Sequence, residues 1–249
     1  MLTDEQRRRY ARNISLAGVG VAGQERLLAS GVLVIGAGGL GSPAISYLAA
    51  TGVGHLGIAD FDRVELSNLQ RQTLHENADI GRPKTHSARD RVQELNPDVK
   101  ISLYEEKITV GNAAAIIRPY DLVLDGSDNF ATRFALNDAC HKEKKTLVSG
   151  AVRAFAGQLA VFKSYLGAPQ PCYRCFVSAH PEDERGCADV GVLGALTGVV
   201  GSLMALEATK ELLGGYASLG GKLLLLEGET LRQRIVTLTR DPHCECCGR

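Results

Sequence analysis

Gly36-Ala37-Gly38-Gly39-Leu40-Gly41 is a glycine-rich turn that directly follows the apolar run Val32-Leu33-Val34-Ile35. A short apolar run before a glycine turn predicts a buried strand, and residues Pro43 to Ala50 after the turn predict a helix. Residues His55 to Asp60 predict a second strand. This order predicts a βαβ unit, from which parallel sheets are built.

The glycine turn also carries the first functional signal. Glycines let the backbone approach a phosphate, and the N-terminus of the following helix favours an anion. A carboxylate at the end of the second strand, here Asp60, accepts hydrogen bonds from ribose hydroxyls. The turn therefore predicts a nucleotide site without selecting the nucleotide, and NAD is one candidate. The structural alternative is a tight turn that serves only helix packing.

Strands and helices continue to alternate along the chain. The first further group comprises a helix from Pro83 to Leu95, a strand from Val99 to Tyr104, a strand from Asp121 to Asp125, a helix from Asn129 to Lys145, and strands from Thr146 to Val152 and from Gln158 to Lys163. The second group comprises a loop from Leu166 to Val190, a helix from Gly194 to Leu213, and strands from Lys222 to Glu227 and from Arg232 to Leu238. The predicted fold class is α/β, a Rossmann-like, doubly wound, largely parallel sheet with an antiparallel C-terminal extension.

Length and charge indicate one soluble domain. The chain has 249 residues, with 28 Lys and Arg against 28 Asp and Glu, so no net charge attracts nucleic acid or an anionic membrane. We expect one domain over residues 1–249, with a helical arm over about 1–30 and halves over about 31–152 and 153–249. The polar N-terminus lacks the apolar core of a signal peptide, so we expect a cytoplasmic protein.

One uncharged stretch, Val190 to Leu206, approaches the length of a membrane span. It contains four glycines, and a loop that leads into a buried helix explains it better. We therefore expect no membrane association.

Two CxxC pairs predict a metal centre. Cys172 and Cys175 form the first pair, and Cys244 and Cys247 form the second. Four thiolates in two such pairs favour a closed, structural zinc site that attaches the tail to the body of the protein. Disulfides and redox-active pairs are the alternatives. Cys246 is a possible substitute ligand.

The residues after Asp60 favour a triphosphate over a dinucleotide. The segment from Asp62 to Gln72 is polar, and Arg71 and Lys84 are cations suited to a reaction that releases pyrophosphate. Asp128 lies in a loop after a strand, where it is placed to hold Mg²⁺. The alternatives are salt-bridged surface positions for the two cations and a helix N-cap for Asp128.

These motifs together resemble the ubiquitin-activating superfamily, in its MoeB/ThiF branch of sulfur-carrier adenylyltransferases. GAGGLG, Asp60, SNLQRQ, the RPK that contains Lys84, the DGSDN that contains Asp128, and the two CxxC pairs occur in the family's order. The resemblance covers nearly the whole chain. Within the branch, SNLQRQTLH and VSGAVRAFAGQL resemble the molybdopterin-synthase type more than the thiazole type.

The resemblance implies an enzyme that uses Mg-ATP to adenylate the C-terminal glycine of a ubiquitin-like carrier protein, with release of pyrophosphate. Residues 153–249 would then bind the carrier and the zinc. The implied nucleotide-binding residues are Gly39, Asp60, Ser67, Asn68, Leu69, Gln70, Arg71, Lys84, Asp128 and Asn129. Among these, Arg71, Lys84 and Asp128 are also the implied catalytic residues.

Two further roles follow from the resemblance. Arg12 matches an arginine that reaches the partner subunit's ATP, which implies a homodimer. Cys187 matches a cysteine that in some members forms a covalent link to the carrier. Adenylation does not need that link.

The partners remain expectations. We expect a carrier that ends in Gly-Gly, either MoaD-like for molybdopterin or ThiS-like for thiazole. Because the chain ends two residues after Cys247, sulfur would come from a separate donor such as a cysteine desulfurase or sulfurtransferase. The competing functions are an NAD-dependent oxidoreductase and a zinc-containing binding module without catalysis.

Overall fold

A computed structural model describes residues 1–177 and 191–248. An eight-stranded sheet lies at its centre, with strand order β3-β2-β1-β4-β5-β6-β7-β8. The strands are β1 (Gly31–Ile35), β2 (His55–Ala59), β3 (Lys100–Tyr104), β4 (Leu122–Asp125), β5 (Thr146–Arg153), β6 (Ala156–Phe162), β7 (Lys222–Glu227) and β8 (Arg232–Thr237).

The first five strands are parallel to one another, whereas β6, β7 and β8 each run antiparallel to the strand before them. Across the sheet the strand numbers fall from β3 to β1 and then rise from β4 to β5. The switch point, where successive strands are added on the other side, therefore lies between β1 and β4. In open parallel sheets, ligands bind at such a point, outside the carboxyl ends of the strands. The predicted fold class, including its antiparallel extension, is confirmed.

Helices cover both faces of the sheet. They are α1 (Asp4–Arg9), α2 (Ala11–Ile14), α3 (Gly20–Ala29), α4 (Gly41–Thr51), α5 (Lys84–Leu95), α6 (Ala113–Ile117), α7 (Phe130–Lys142), α8 (Tyr173–Phe176) and α9 (Gly194–Leu213). Short 3₁₀ turns occur at Leu66–Asn68, Asn77–Asp79 and Ser164–Leu166. The predicted loop after Leu166 contains the one-turn helix α8, and its residues 178–190 lie outside the described part of the chain.

Strand β1 shows how the sequence builds two cores. Its five residues are all buried, and successive side chains point to opposite faces of the sheet. Val32 and Val34 pack with α4, α5 and α9, whereas Leu33 and Ile35 pack with α6 and α7. A strand buried on both faces needs a continuous apolar run, which is the pattern that predicted it.

The described part of the long uncharged stretch, residues 191–206, contributes one helix face to this core. Leu196, Val200 and Met204 of α9 are buried against the sheet. Among the described residues, no helix combines the length and the apolar character needed to cross a membrane.

Candidate active site and metal centre

The glycine turn between β1 and α4 is shaped partly by packing. Gly36 has φ +88°, a left-handed conformation that side chains disfavour. A Cβ atom at Gly41 would collide with the Gly36 carbonyl oxygen. Gly38 differs, because a Cβ atom there would meet its nearest neighbour, Gln72 Nε2, only at 3.6 Å. Packing therefore explains Gly36 and Gly41 but not Gly38, which leaves room for close approach by an external group.

Gln72 supplies a second sign of a ligand at the turn. It is 4% exposed and lies against Gly38, yet its Oε1 atom has no hydrogen-bond partner among the residues that the structure describes. A buried polar atom without a partner is costly and requires an explanation. A nucleotide in the turn would bring hydroxyl and amino donors to this place, so these residues fit a nucleotide.

Asp60 lies at the end of β2 and is tied to the turn. Its Oδ2 accepts a hydrogen bond from the Ala37 backbone N–H at 2.8 Å, and its Oδ1 accepts from the Asp62 N–H at 2.9 Å. Burial raises the pKa of Asp60, although Lys84 and the two N–H groups oppose that effect. Each carboxylate oxygen retains a lone pair, so the predicted contact with ribose is compatible with this geometry.

Lys84 begins α5 and points toward the same edge of the sheet. It is 5% exposed, and its Nζ lies 2.8 Å from Asp62 Oδ2. The salt-bridged alternative is therefore correct in part, but the pair is not an ordinary surface pair. Asp62, whose side chain is 51% exposed, holds a buried ammonium group in place beside the turn. No local sequence pattern indicates this role for Asp62.

The segment that contains Arg71 folds as a compact loop. Asn68 accepts hydrogen bonds at its backbone oxygen from the N–H groups of Arg71 and Gln72. The Arg71 guanidinium donates to the Ser67 carbonyl oxygen at 3.1 Å, and among the described residues it forms no ion pair. Leu69 is half-buried and Gln70 is exposed. The cation of Arg71 is thus available to an anion.

Asp128 is exposed in the loop between β4 and α7. The helix N-cap is its neighbour Asn129, whose Oδ1 accepts from the Thr132 N–H at 2.9 Å. The capping alternative for Asp128 is therefore wrong, and its carboxylate remains open to a cation. Asn129 uses its oxygen for the cap, and its Nδ2 donates to Asp128 Oδ1 at 3.4 Å, so one amide hydrogen remains for a nucleotide.

A buried arginine holds this loop. Arg133 is 7% exposed and donates to the carbonyl oxygens of Ser127 at 2.5 Å and Gly150 at 2.9 Å. Its Nη1 lies 3.7 Å from Asp125 Oδ2, a carboxylate that also accepts from Ser127. The loop geometry therefore depends on a residue that no local sequence pattern identified.

The two loops meet at the switch point. A Cβ atom on Gly36 would lie 3.1 Å from the Gly126 carbonyl oxygen, and the Gly126 N–H donates to Ile35. The structure thus brings together the glycine turn, Asp60, Lys84 and the loop that carries Asp128.

Arg12 lies away from this group of nucleotide-site residues. It is exposed on α2, and its neighbours Tyr10 and Asn13 contact Asn96 and Thr51, which lie at the C-terminal ends of α5 and α4. The glycine turn and Lys84 lie at the N-terminal ends of the same helices. Since α4 has 11 residues, its two ends are about 16 Å apart. Cys187 lies outside the described residues.

The four predicted zinc ligands lie together. Sulfurs of Cys172, Cys175, Cys244 and Cys247 are all within 4.8 Å of one another, and three of these residues are buried. Neighbouring sulfurs are 3.4, 3.5 and 3.9 Å apart. Four sulfurs at zinc's bond length in a tetrahedron would be about 3.8 Å apart. The donor set and spacing fit a closed zinc site, whereas these separations are too long for disulfides.

Helix α7 anchors both CxxC segments. Asn137 accepts from the Tyr173 N–H at 2.7 Å and donates to Cys246 Sγ at 3.4 Å. Asp138 forms a two-point ion pair with Arg174, with both contacts at 2.8 Å. Cys246 contacts α7 and packs beside the cluster, but it is not one of the four sulfurs that all lie within 4.8 Å of one another.

We expect one zinc per chain, held by these four thiolates. Replacing Cys247 with Ser should remove the metal and destabilise the protein by on the order of 4 kcal/mol, with a smaller effect on ATP affinity. Elemental analysis, denaturant unfolding and calorimetric ATP titration measure the three quantities. The matched control is Cys246→Ser, which should keep the metal. Zinc-free protein after purification without chelator would contradict the assignment.

Two named proteins are similar to this chain in sequence. The chain is 48% identical over 250 residues to a sulfur carrier protein adenylyltransferase of Thermus thermophilus, covering 99% of this chain and 92% of that protein. It is 49% identical over 251 residues to the adenylyltransferase and sulfurtransferase MOCS3 of Drosophila willistoni, covering 99% of this chain and 54% of the relative. It thus spans about half the length of the MOCS3 relatives.

Solved structures share the fold. A crystal structure of E. coli MccB with MccA-N7isoASN superposes with a TM-score of 0.83 at 19% identity, covering 98% of this chain and 75% of the other. PaaA superposes with a TM-score of 0.82 at 20% identity, covering 95% and 84%. The ThiF family model matches residues 10–247. With that match across nearly its whole length, and relatives at almost half identity, the chain belongs to the ThiF family.

Proposed function

We propose that this protein adenylates the C-terminal carboxylate of a sulfur carrier protein with ATP. One observation carries the proposal: a buried lysine and an exposed aspartate that does not cap a helix lie at the sheet edge, around a glycine turn that is open to close approach at Gly38. A dinucleotide oxidoreductase has no need of that charge arrangement. The names of the relatives, a sulfur carrier protein adenylyltransferase and an adenylyltransferase and sulfurtransferase, support the same activity.

The reaction is a displacement at the α-phosphorus. A carboxylate oxygen of the carrier forms a bond to that phosphorus, the bond to the bridging oxygen of the β-phosphate breaks, and pyrophosphate leaves with the electron pair. The carboxylate is itself the nucleophile, so alignment and charge neutralisation supply the catalysis. Lys84 and Arg71 are the cations placed to bind the negative charge that develops on the phosphates.

We assign the nucleotide to the glycine turn and its neighbours. Gly39 and the segment Ser67 to Arg71 line it, and Asp60 accepts from ribose. Asp128 would hold Mg²⁺ with the help of phosphate oxygens, since this ion takes oxygen ligands and keeps several waters. When bound, the ion supplies positive charge to the phosphates. Arg133 keeps the Asp128 loop in place through the Ser127 carbonyl.

We propose a homodimer in which Arg12 completes the site of the partner subunit. Leu193, Val199 and Leu206 are 53%, 46% and 54% exposed on or beside α9, and Tyr47 of the neighbouring α4 is 57% exposed. Such a cluster of exposed apolar side chains marks a surface suited to association. Arg12 lies far from the nucleotide edge of its own chain, and a second subunit can bring it there.

The sequence also indicates which type of carrier protein the enzyme uses. We propose a MoaD-like carrier of molybdopterin synthesis, because SNLQRQTLH and VSGAVRAFAGQL resemble that type. A ThiS-like carrier would undergo the same chemistry. A separate sulfur donor and a covalent role for Cys187 remain predictions.

Pyrophosphate exchange tests the activity. We expect the protein to incorporate labelled pyrophosphate into ATP only when a carrier that ends in Gly-Gly is present. A MoaD-like and a ThiS-like carrier measured side by side rank the two pathways. An oxidoreductase or a binding module would show no exchange with either carrier, and that result would overturn the proposal.

A further inference from the structure

His75 links two parts of the site that belong to different elements. It is 6% exposed, its Nε2 lies 2.9 Å from the Ala37 carbonyl oxygen, and its Nδ1 lies 2.8 Å from Ser87 Oγ. Ala37 belongs to the glycine turn, and Ser87 lies in α5, three residues after Lys84. One imidazole ring therefore spans the gap between the turn and the helix that carries the lysine.

Both ends of this bridge are held independently. Ala37 is also fixed through its N–H, which donates to Asp60 at 2.8 Å. Ser87 Oγ donates to Asp79 Oδ2 at 2.7 Å. Asp79 in turn accepts from the Glu76 N–H and from Arg82. The ring thus closes a hydrogen-bonded chain from Asp79 to Asp60 across the nucleotide edge of the sheet.

The bridge also has a defined proton arrangement. A carbonyl oxygen only accepts, so Nε2 must carry a hydrogen and donate to Ala37. Burial lowers the pKa of His75, against opposing effects of the Ala37 hydrogen bond and of Asp79, so the neutral ring prevails near pH 7. Nδ1 is then an acceptor. The Ser87 hydroxyl has one hydrogen and two acceptors within reach, His75 Nδ1 and Asp79 Oδ2, so it donates to one of them at a time.

We propose that His75 is a positioning residue, which sets the separation between the glycine turn and Lys84 so that both meet the same triphosphate. The inference rests on the proposed use of ATP. In an alignment-driven reaction, a displacement of about 1 Å costs about a hundredfold in rate, so a linker between two phosphate-binding elements has a large effect. The contact that matters is Nε2–H to Ala37.

Two variants isolate that contact. Glutamine places an amide nitrogen near the position of Nε2 and can still donate to Ala37, whereas asparagine reaches only the position of Nδ1 and its Ser87 contact. We expect His75→Asn to lower kcat of pyrophosphate exchange at least about tenfold. We expect His75→Gln to retain most of the rate. The matched control is His55→Asn, which removes the His55–Ser102 contact of 2.9 Å at the opposite end of the sheet and should leave kcat unchanged.

A second readout does not require catalysis. Calorimetry of ATP and AMP gives the dissociation constant of AMP divided by that of ATP, a ratio that reports how well the turn and Lys84 together hold the outer phosphates. This ratio should fall at least about tenfold in His75→Asn and little in His75→Gln. Thermal unfolding of all variants shows whether rate changes merely follow stability.

The outcomes are separable. Equal ratios for His75→Asn, His75→Gln and the wild-type protein would overturn the positioning role, as would rate losses that are the same for both His75 variants and follow their unfolding temperatures. If the wild-type protein shows no exchange but the ratio falls only in His75→Asn, the positioning role stands and the proposed adenylation fails.

Discussion

Lys84→Ala should abolish most of the adenylation activity while leaving the fold intact. We expect kcat for pyrophosphate exchange to fall by about a hundredfold to a thousandfold, because the buried ammonium acts on charge that develops during the reaction. Its partner Asp62 is half-exposed, so water can solvate the carboxylate left behind. Arg71→Ala and Asp128→Ala should cause losses of similar size.

The matched control is Lys163→Ala. Lys163 is another largely buried lysine in an ion pair, 2.5 Å from Glu211, but it follows β6 at the opposite edge of the sheet. This change should alter stability without lowering kcat. Exchange at the wild-type rate in all three active-site variants, measured on proteins with unchanged circular dichroism, would remove the proposed active site.

Mixing two inactive variants should restore activity. In a dimer of Arg12→Ala and Lys84→Ala chains, the first chain keeps its own Lys84 and receives Arg12 from the second, so one of the two sites is intact. Random exchange of subunits between equal amounts would give about one quarter of the wild-type activity. Each variant alone should remain inactive. The measurement is exchange activity after mixing, alongside native mass spectrometry that quantifies the heterodimer.

No recovery in demonstrated heterodimers would mean that Arg12 acts within its own chain or not at all. The structure disfavours action within the same chain. The residues beside Arg12 pack at the ends of α4 and α5 that lie away from the nucleotide edge.

The sequence predicted the elements whose cause is local. The apolar run of β1 and the glycine turn after it require that strand and that turn, and the spacing within each CxxC pair lets one turn present two sulfurs to a metal. The boundaries of α5 and α9 follow from Pro83 and from the glycines that flank α9. These features do not depend on distant parts of the chain.

Other features arise only when distant segments meet. Arg133 lies in the mostly buried helix α7, and its importance appears when β4 and β5 bring Asp125 and Gly150 beside it. His75 shows no metal-binding spacing, and its neighbours Ala37 and Ser87 lie far from it in sequence. The choice of cap between Asp128 and Asn129 also depends on backbone geometry. Helix α6 has only five residues, too few to show a helical period in the sequence.

An isotope measurement tests the central claim most directly, namely that a carrier carboxylate attacks the α-phosphate of ATP. The carrier is prepared with ¹⁸O in both oxygens of its C-terminal carboxylate, incubated with ATP and the protein, and the acyl-adenylate is cleaved with hydroxylamine. Attack on the carbonyl carbon releases AMP together with the bridging oxygen. We predict AMP that contains one ¹⁸O, detected by mass spectrometry; AMP without the label, formed at the same rate with or without the carrier, would contradict the account.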